Sequence, residues 1–154
     1  WGVRAHDARR CEVLRYYLDT SLLVAALTRE EKTRGVQEWL AGRPYGTLVV
    51  TDWVCTEFSS AVSLKVRARQ IDPRQKDAAL TMFSDWCEGT FVMEAISQPD
   101  FAVAAHYAAR DDVDIRAGDA LHAAACMRLG TTMCTLDAKL RAACEFLGIG
   151  TETL

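Results

Sequence analysis

Short, unbroken apolar runs alternate along this chain with longer stretches whose apolar positions recur every three or four residues. The first run, Tyr16-Tyr17-Leu18, ends in Asp19-Thr20-Ser21 and passes into the apolar residues 22–27. This reads as a strand, then a helix capped by Asp19 or Thr20. A second helix is expected over residues 28–40, with Glu30 and Glu31 in its first turn and Val36, Trp39 and Leu40 on its apolar face. Gly42, Pro44 and Gly46 mark a loop, and residues 47–50 form a second, wholly apolar strand. A helix capped at Thr51 or Asp52 follows to about residue 68, with Val54, Phe58, Ala61, Val62 and Leu64 as its stripe. Asp72-Pro73 starts another helix, which runs to about residue 87. Residues 91–94 read as a third strand, and Ser97 with Asp100 spells a capping box for a helix to about residue 110. A polar loop over residues 111–118 leads to an alanine-rich helix that Asp119 opens and Gly130 closes. Residues 132–136 form a fourth strand, Asp137 follows directly, a last helix ends at Gly148, and residues 149–151 offer an edge strand.

Strands alternating with helices predict an α/β fold, a three-layer α/β/α sandwich around a central, mostly parallel sheet. With 154 residues the chain supports one domain with a real core. That domain is expected over residues 15–154, behind an N-terminal extension at residues 1–14; a start at Trp rather than Met reads as processed or added. Half of the residues are apolar, a quarter are charged and the net charge is −3, an ordinary balance for a soluble protein. No run reaches the apolar length that spans a bilayer, and the first fifteen residues are polar and arginine-bearing, so the expected location is cytoplasmic. None of the six cysteines forms a C-x-x-C pair, and they read as buried free thiols rather than disulfides or zinc ligands.

Acidic residues change this picture most. Asp19 and Asp137 each end a strand, Glu57 lies in the second turn of the helix after the second strand, and Asp119 opens a helix. All four can meet at the carboxyl edge of the sheet, where open α/β folds place their ligands. Taken singly, each reads as a helix cap or a solvated helix acid. Taken together they repel one another, and a hard divalent cation is the natural counterweight, Mg2+ or Mn2+ on an all-oxygen donor set.

The pieces Leu18-Asp19-Thr20-Ser21, Thr56-Glu57-Phe58, the run from Arg116-Ala117-Gly118-Asp119 through Ala120-Leu121-His122, and Thr135-Leu136-Asp137-Ala138-Lys139-Leu140 resemble the PIN-domain ribonucleases. They look most like the VapC toxins of bacterial type II toxin–antitoxin pairs. The resemblance implies a metal-dependent endoribonuclease that hydrolyses RNA phosphodiesters with metal-activated water and one or two Mg2+ or Mn2+ ions. It implies that Asp19, Glu57, Asp119 and Asp137 are catalytic and hold the metal, with Ser21 and Thr135 orienting carboxylates or water. It further implies a cognate VapB-type antitoxin that presents an arginine to the acids, and a homodimer. Some PIN nucleases carry a further acid just beyond the last aspartate; here Lys139 stands at such a place.

Other residues are more open. Arg116 either pairs with Asp119 or a phosphate, or forms a surface ion pair with Asp112 or Asp114. His122, one turn after Asp119, reads as a packed structural histidine rather than a general base. Lys65, Arg67, Arg69, Arg74 and Lys76 are the cations best placed for RNA phosphates, while Trp53, Phe58 and Phe83 belong to the core. A metal-dependent adhesion motif is excluded because Leu23 stands where D-x-S-x-S needs its second serine, and a D-x-D phosphatase because Ser21 stands for the second acid. The remaining alternatives are a PIN fold that binds protein without catalysis and a PIN nuclease that is not a toxin.

Overall fold

Tyr16–Leu18 (β1) is buried at every position, as a central parallel strand with both faces covered must be. It pairs in parallel with Leu48–Thr51 (β2) on one side, Tyr16 opposite Leu48, and with Thr132–Cys134 (β4) on the other, Leu18 opposite Cys134. Val92–Glu94 (β3) lies outside β2 and Thr151–Glu152 (β5) outside β4, giving the order β3-β2-β1-β4-β5. These coordinates are a computed structural model and describe residues 14–154. The extension expected at residues 1–14 lies, through residue 13, outside the described residues.

Every strand pairing is parallel, so the expected "mostly parallel" sheet is wholly parallel. Among the described residues seven helices cover it: Thr20–Leu27 (α1), Thr33–Ala41 (α2), Asp52–Arg67 (α3), Pro73–Gly89 (α4), Gln98–Ala108 (α5), Ala117–Leu129 (α6) and Ala138–Phe146 (α7). α1 packs with α2, α3 and α4, while α6 packs with α5 and α7, which completes the three-layer sandwich. The chain leaves β1 for β2 and β3 on one side, then returns to β4 and β5 on the other. The order therefore reverses between β1 and β4, and the crevice beyond their carboxyl ends is the place such a fold offers a ligand.

Several boundaries differ from the sequence expectation for local physical reasons. α2 begins at Thr33, not at residue 28, because Thr28 ends α1 by bonding Val24 O through both its amide and its hydroxyl. The Thr33 hydroxyl then bonds Ala25 O and Thr28 O, which turns the chain and leaves Glu30 and Glu31 ahead of the helix. α6 begins at Ala117, two residues before Asp119, so Ala117 and Gly118 are helical rather than loop. β4 stops at Cys134 because the next hydroxyl, Thr135, turns to a carboxylate and to a backbone amide instead of the ladder. The final strand is Thr151–Glu152 rather than residues 149–151. The helix start at Asp72-Pro73, which the structure closes with an Asp72–Gln75 capping box, and the left-handed Gly130 cap lie where the sequence places them.

Cys126, Cys134 and Cys144 are buried free thiols as expected; Cys55 and Cys87 are free but only half-buried. Burial pushes Cys126 and Cys144 up to about 12, so both stay protonated. No described helix is long and apolar enough to cross a membrane.

Candidate active site

Asp19 follows β1 and caps α1, and only 5% of it is exposed. Its Oδ2 accepts three bonds, from the Ser21 amide (3.2 Å), the Ser21 hydroxyl (2.5 Å) and the Thr135 hydroxyl (2.8 Å). Each hydroxyl spends its proton on Asp19 and then accepts a backbone amide after β4: Leu136 N to Ser21 Oγ at 3.0 Å, Asp137 N to Thr135 Oγ1 at 2.9 Å. The two strand ends are thereby tied across the switch point, and Asp19 Oδ1 lies 3.4 Å from His122 Nε2. Ser21 and Thr135 thus both hold Asp19 through its Oδ2.

Glu57 rises from α3 to meet α1 and α6. Its Oε2 accepts the Thr20 hydroxyl at 2.9 Å and lies 2.6 Å from His122 Nε2. Behind the imidazole, Nδ1 lies 3.0 Å from the Tyr17 phenol, which lies 2.9 Å from the Thr51 hydroxyl. Burial alone would raise the Glu57 carboxyl, but the hydrogen bond and charge of His122, with the Thr20 bond, hold it below the usual carboxylate range. Burial pushes the Tyr17 phenol far up, so it remains a neutral link in this chain. Asp19, Glu57 and His122 come close enough, within 4.8 Å, to suggest a shared metal. An ionised Glu57 at 2.6 Å requires a proton on Nε2, however, so His122 has no lone pair to give and acts as an orienting group. His122 is packed as expected, at 1% exposure, but it also belongs to the site.

Asp119, on the first turn of α6, accepts no hydrogen bond among the described residues. Its carboxyl is raised by burial, by the charge of Asp137 and by Asp19 and Glu57, with His122 opposing. Exposed Asp137 caps α7, its Oδ1 accepting the Lys139 and Leu140 amides at 2.7 and 3.2 Å. All four acids line one open cleft of about 500 Å3 between α1 and α3. Gly118 makes the approach possible: a Cβ there would stand 3.0 Å from Glu57 Oε1 and 3.5 Å from the Trp53 ring. The donors that line the cleft are carboxylate and hydroxyl oxygens, and Asp119 is a half-buried acid raised by burial and by its acidic neighbours. That set fits a hard divalent cation and does not fit a thiophilic one.

A family model for the PIN domain matches residues 16–145. The chain belongs to the PIN domain family. Among solved structures this PIN domain is similar to the sarcin-ricin loop cleaving toxin VapC20 of Mycobacterium tuberculosis, with 18% identity, TM-score 0.68, and coverage of 83% of this chain and 94% of that one. It is also similar to FitAcB of Neisseria gonorrhoeae (19% identity, TM-score 0.65, 90% and 96% covered). A third similar structure is VapBC2 of Rickettsia felis bound to a DNA fragment from its promoter (17% identity, TM-score 0.64, 90% and 98% covered). Among curated proteins, no sequence matches.

The other expected site residues fall elsewhere on the PIN domain. Arg116 caps α6, is exposed, and makes no ion pair among the described residues; Asp112 is taken by Arg110 and Asp114 by Lys139. Lys65 is largely buried and pairs with Glu30 at 2.7 Å instead of standing free for a phosphate. Arg67, Arg69 and Arg74 are exposed and do not line the cleft. Phe58 and Phe83 lie in the core, but Trp53 is half-buried against His122. Tyr17, Thr20 and Thr51 were not expected in the site. The i, i+3 spacing of Asp119 and His122 was the signal that the histidine shares the acid's face.

Proposed function

We propose that this protein is a divalent-cation-dependent endoribonuclease that acts as the toxin of a toxin–antitoxin pair. The observation that carries the reading is the convergence of Asp19, Glu57, Asp119 and Asp137 on one cleft at the switch point of a PIN fold. The four carboxylates would hold Mg2+ or Mn2+. A cation there supplies Lewis-acid charge to a phosphodiester and makes water more acidic. The protein's own part is to keep the donors still: Ser21 and Thr135 fix Asp19, while Thr20 and His122 fix Glu57. Lys139, at the position of a further acid, is turned to Asp114, which favours one ion over two.

RNA as substrate is supported by the sarcin-ricin loop cleavage of VapC20, and an antitoxin partner by the FitAB and VapBC complexes of the same fold. An anionic cleft of this kind invites an antitoxin arginine as a plug. A homodimer belongs to the same reading.

The deciding experiment is induced expression in bacteria of the wild type beside Asp119→Asn, with total RNA examined for discrete new ends. Growth arrest and new ends from the wild type alone are expected. Equal arrest by both proteins would replace the nuclease with a PIN fold that acts by binding protein. Specific ends without arrest would make it a PIN nuclease that is not a toxin.

A further inference from the structure

The cleft is larger than four carboxylates and a phosphate require. On α3, Glu57, Ser60, Ala61 and Leu64 follow at i, i+3, i+4 and i+7, so one helix face lines it for two turns beyond the acid, roughly 10 Å at 1.5 Å per residue. Opposite, Val24 continues the α1 face that begins with Thr20 and Ser21. The far part is apolar, and Leu64 is 54% exposed there although it stands in a helix beside the acids. Glu30, in the turn between α1 and α2, also lines this cleft.

Glu30 is held in place. Its Oε1 lies 2.7 Å from Lys65 Nζ and accepts the Thr28 hydroxyl at 3.4 Å. Its Oε2 accepts nothing among the described residues. A fixed carboxylate beside an apolar slot, in the same cleft as the four acids, has the makings of a base reader.

We propose that this arm binds the nucleobase next to the scissile phosphate, and that Glu30 selects guanine. The inference rests on the nuclease reading above. A carboxylate only accepts hydrogen bonds. Guanine is the base whose Watson–Crick edge offers two adjacent donors, N1–H and the N2 amino group. Adenine and cytosine set an acceptor ring nitrogen beside their amino group, and uracil flanks its single N–H with two carbonyls. Each of those three would press an acceptor against Glu30. Leu64, with Val24 and Ala61, supplies the flat apolar contact that any base welcomes, which gives affinity without choice. Unpaired bases in single-stranded RNA present these edges.

The test separates binding from cleavage. The wild type, Glu30→Gln and Leu64→Ala are titrated calorimetrically, in magnesium buffer, with the four nucleoside 5′-monophosphates, after circular dichroism confirms each fold. The wild type should bind GMP about tenfold or more tighter than the other three, the discrimination of one good bidentate pair. Glu30→Gln, whose amide offers one donor and one acceptor, should lose that preference and move toward AMP, CMP and UMP; a merely structural Glu30 would not move it. Leu64→Ala should weaken all four alike. Equal affinities in the wild type, no binding of any nucleotide, or a GMP preference that survives Glu30→Gln would overturn the proposal. Cutting of RNA oligomers by the wild type without regard to guanine would overturn this subsite and leave the nuclease standing. A GMP preference in a protein that cuts no RNA would overturn the nuclease and leave the subsite.

Discussion

Tyr17 carries a hydroxyl into the middle of a parallel sheet, at a fully buried position. The phenol is buried completely, and it joins Thr51 on β2 to His122 on α6. Buried polar groups are costly when they lose a partner, and much cheaper when they never had one. Tyr17→Phe removes one hydroxyl but strands two groups, His122 Nδ1 and Thr51 Oγ1. The expected loss is about 1–3 kcal/mol, read as a lower urea midpoint at unchanged slope. A second effect follows from the other end of the imidazole. With Nδ1 unpaired, the ring no longer has a fixed orientation, and the 2.6 Å bond to Glu57 loosens. The Mg2+ concentration for half-maximal cleavage should therefore rise. A variant that is less stable but needs no more Mg2+ would confine Tyr17 to packing.

At the scale of elements, the site depends on how closely the first turn of α6 approaches α3. Gly118 is the contact. In a helix, alanine is favoured over glycine by about 1 kcal/mol, so Gly118→Ala gains in propensity. Its Cβ would meet Glu57 Oε1 at 3.0 Å, and that carboxylate is already pinned through Oε2 by Thr20 and His122. Glu57 or the helix must give way. Gly118→Ala should keep or raise the melting temperature and lose most cleavage, a split that melting curves and cleavage rates measured side by side would expose. Wild-type rates in Gly118→Ala would show that Glu57 has slack. This contact was present in the sequence only as one small residue before Asp119. The strand-end acids were legible because a polar residue directly after an apolar run has few places to go in an α/β fold. The Glu57–His122 bond spans 65 residues, and no local pattern announces a contact of that range. The basic residues around the end of α3 follow a related rule: clustering in sequence says nothing of direction, and Lys65 turns to Glu30 while Arg67 and Arg69 are exposed. The start of α2 was misjudged because Glu30 and Glu31 look like first-turn acids, whereas the hydroxyls of Thr28 and Thr33 fix a turn there.

For the molecule as a whole, the acid cleft is a liability that the fold must support. Periodicity predicted the layers because it reports only which faces are buried, and the parallel order β3-β2-β1-β4-β5 then set the strand ends side by side. That arrangement gathers four carboxylates, and burial first, then the charges of Asp137, Asp19 and Glu57, raise the Asp119 carboxyl. A ligand that binds only the folded cleft must stabilise the entire domain. Mg2+ at a hundredfold excess over its dissociation constant adds about 2.7 kcal/mol, which for a chain of this size raises the melting temperature by about 5–10 °C. Chelation should lower it again without unfolding the protein at room temperature, since a continuous apolar core holds the sheet and helices together without the ion. Asp119→Asn separates the two contributions. Taking away one of the repelling charges should raise the melting temperature of the metal-free protein, while taking away one donor should shrink the Mg2+ increment. Thermal melts of both proteins, with Mg2+ and with chelator, measure both signs. An Asp119→Asn protein that melts lower without metal would mean that Asp119 is held by attraction rather than crowded by its neighbours. An unchanged Mg2+ increment would mean that the ion sits elsewhere.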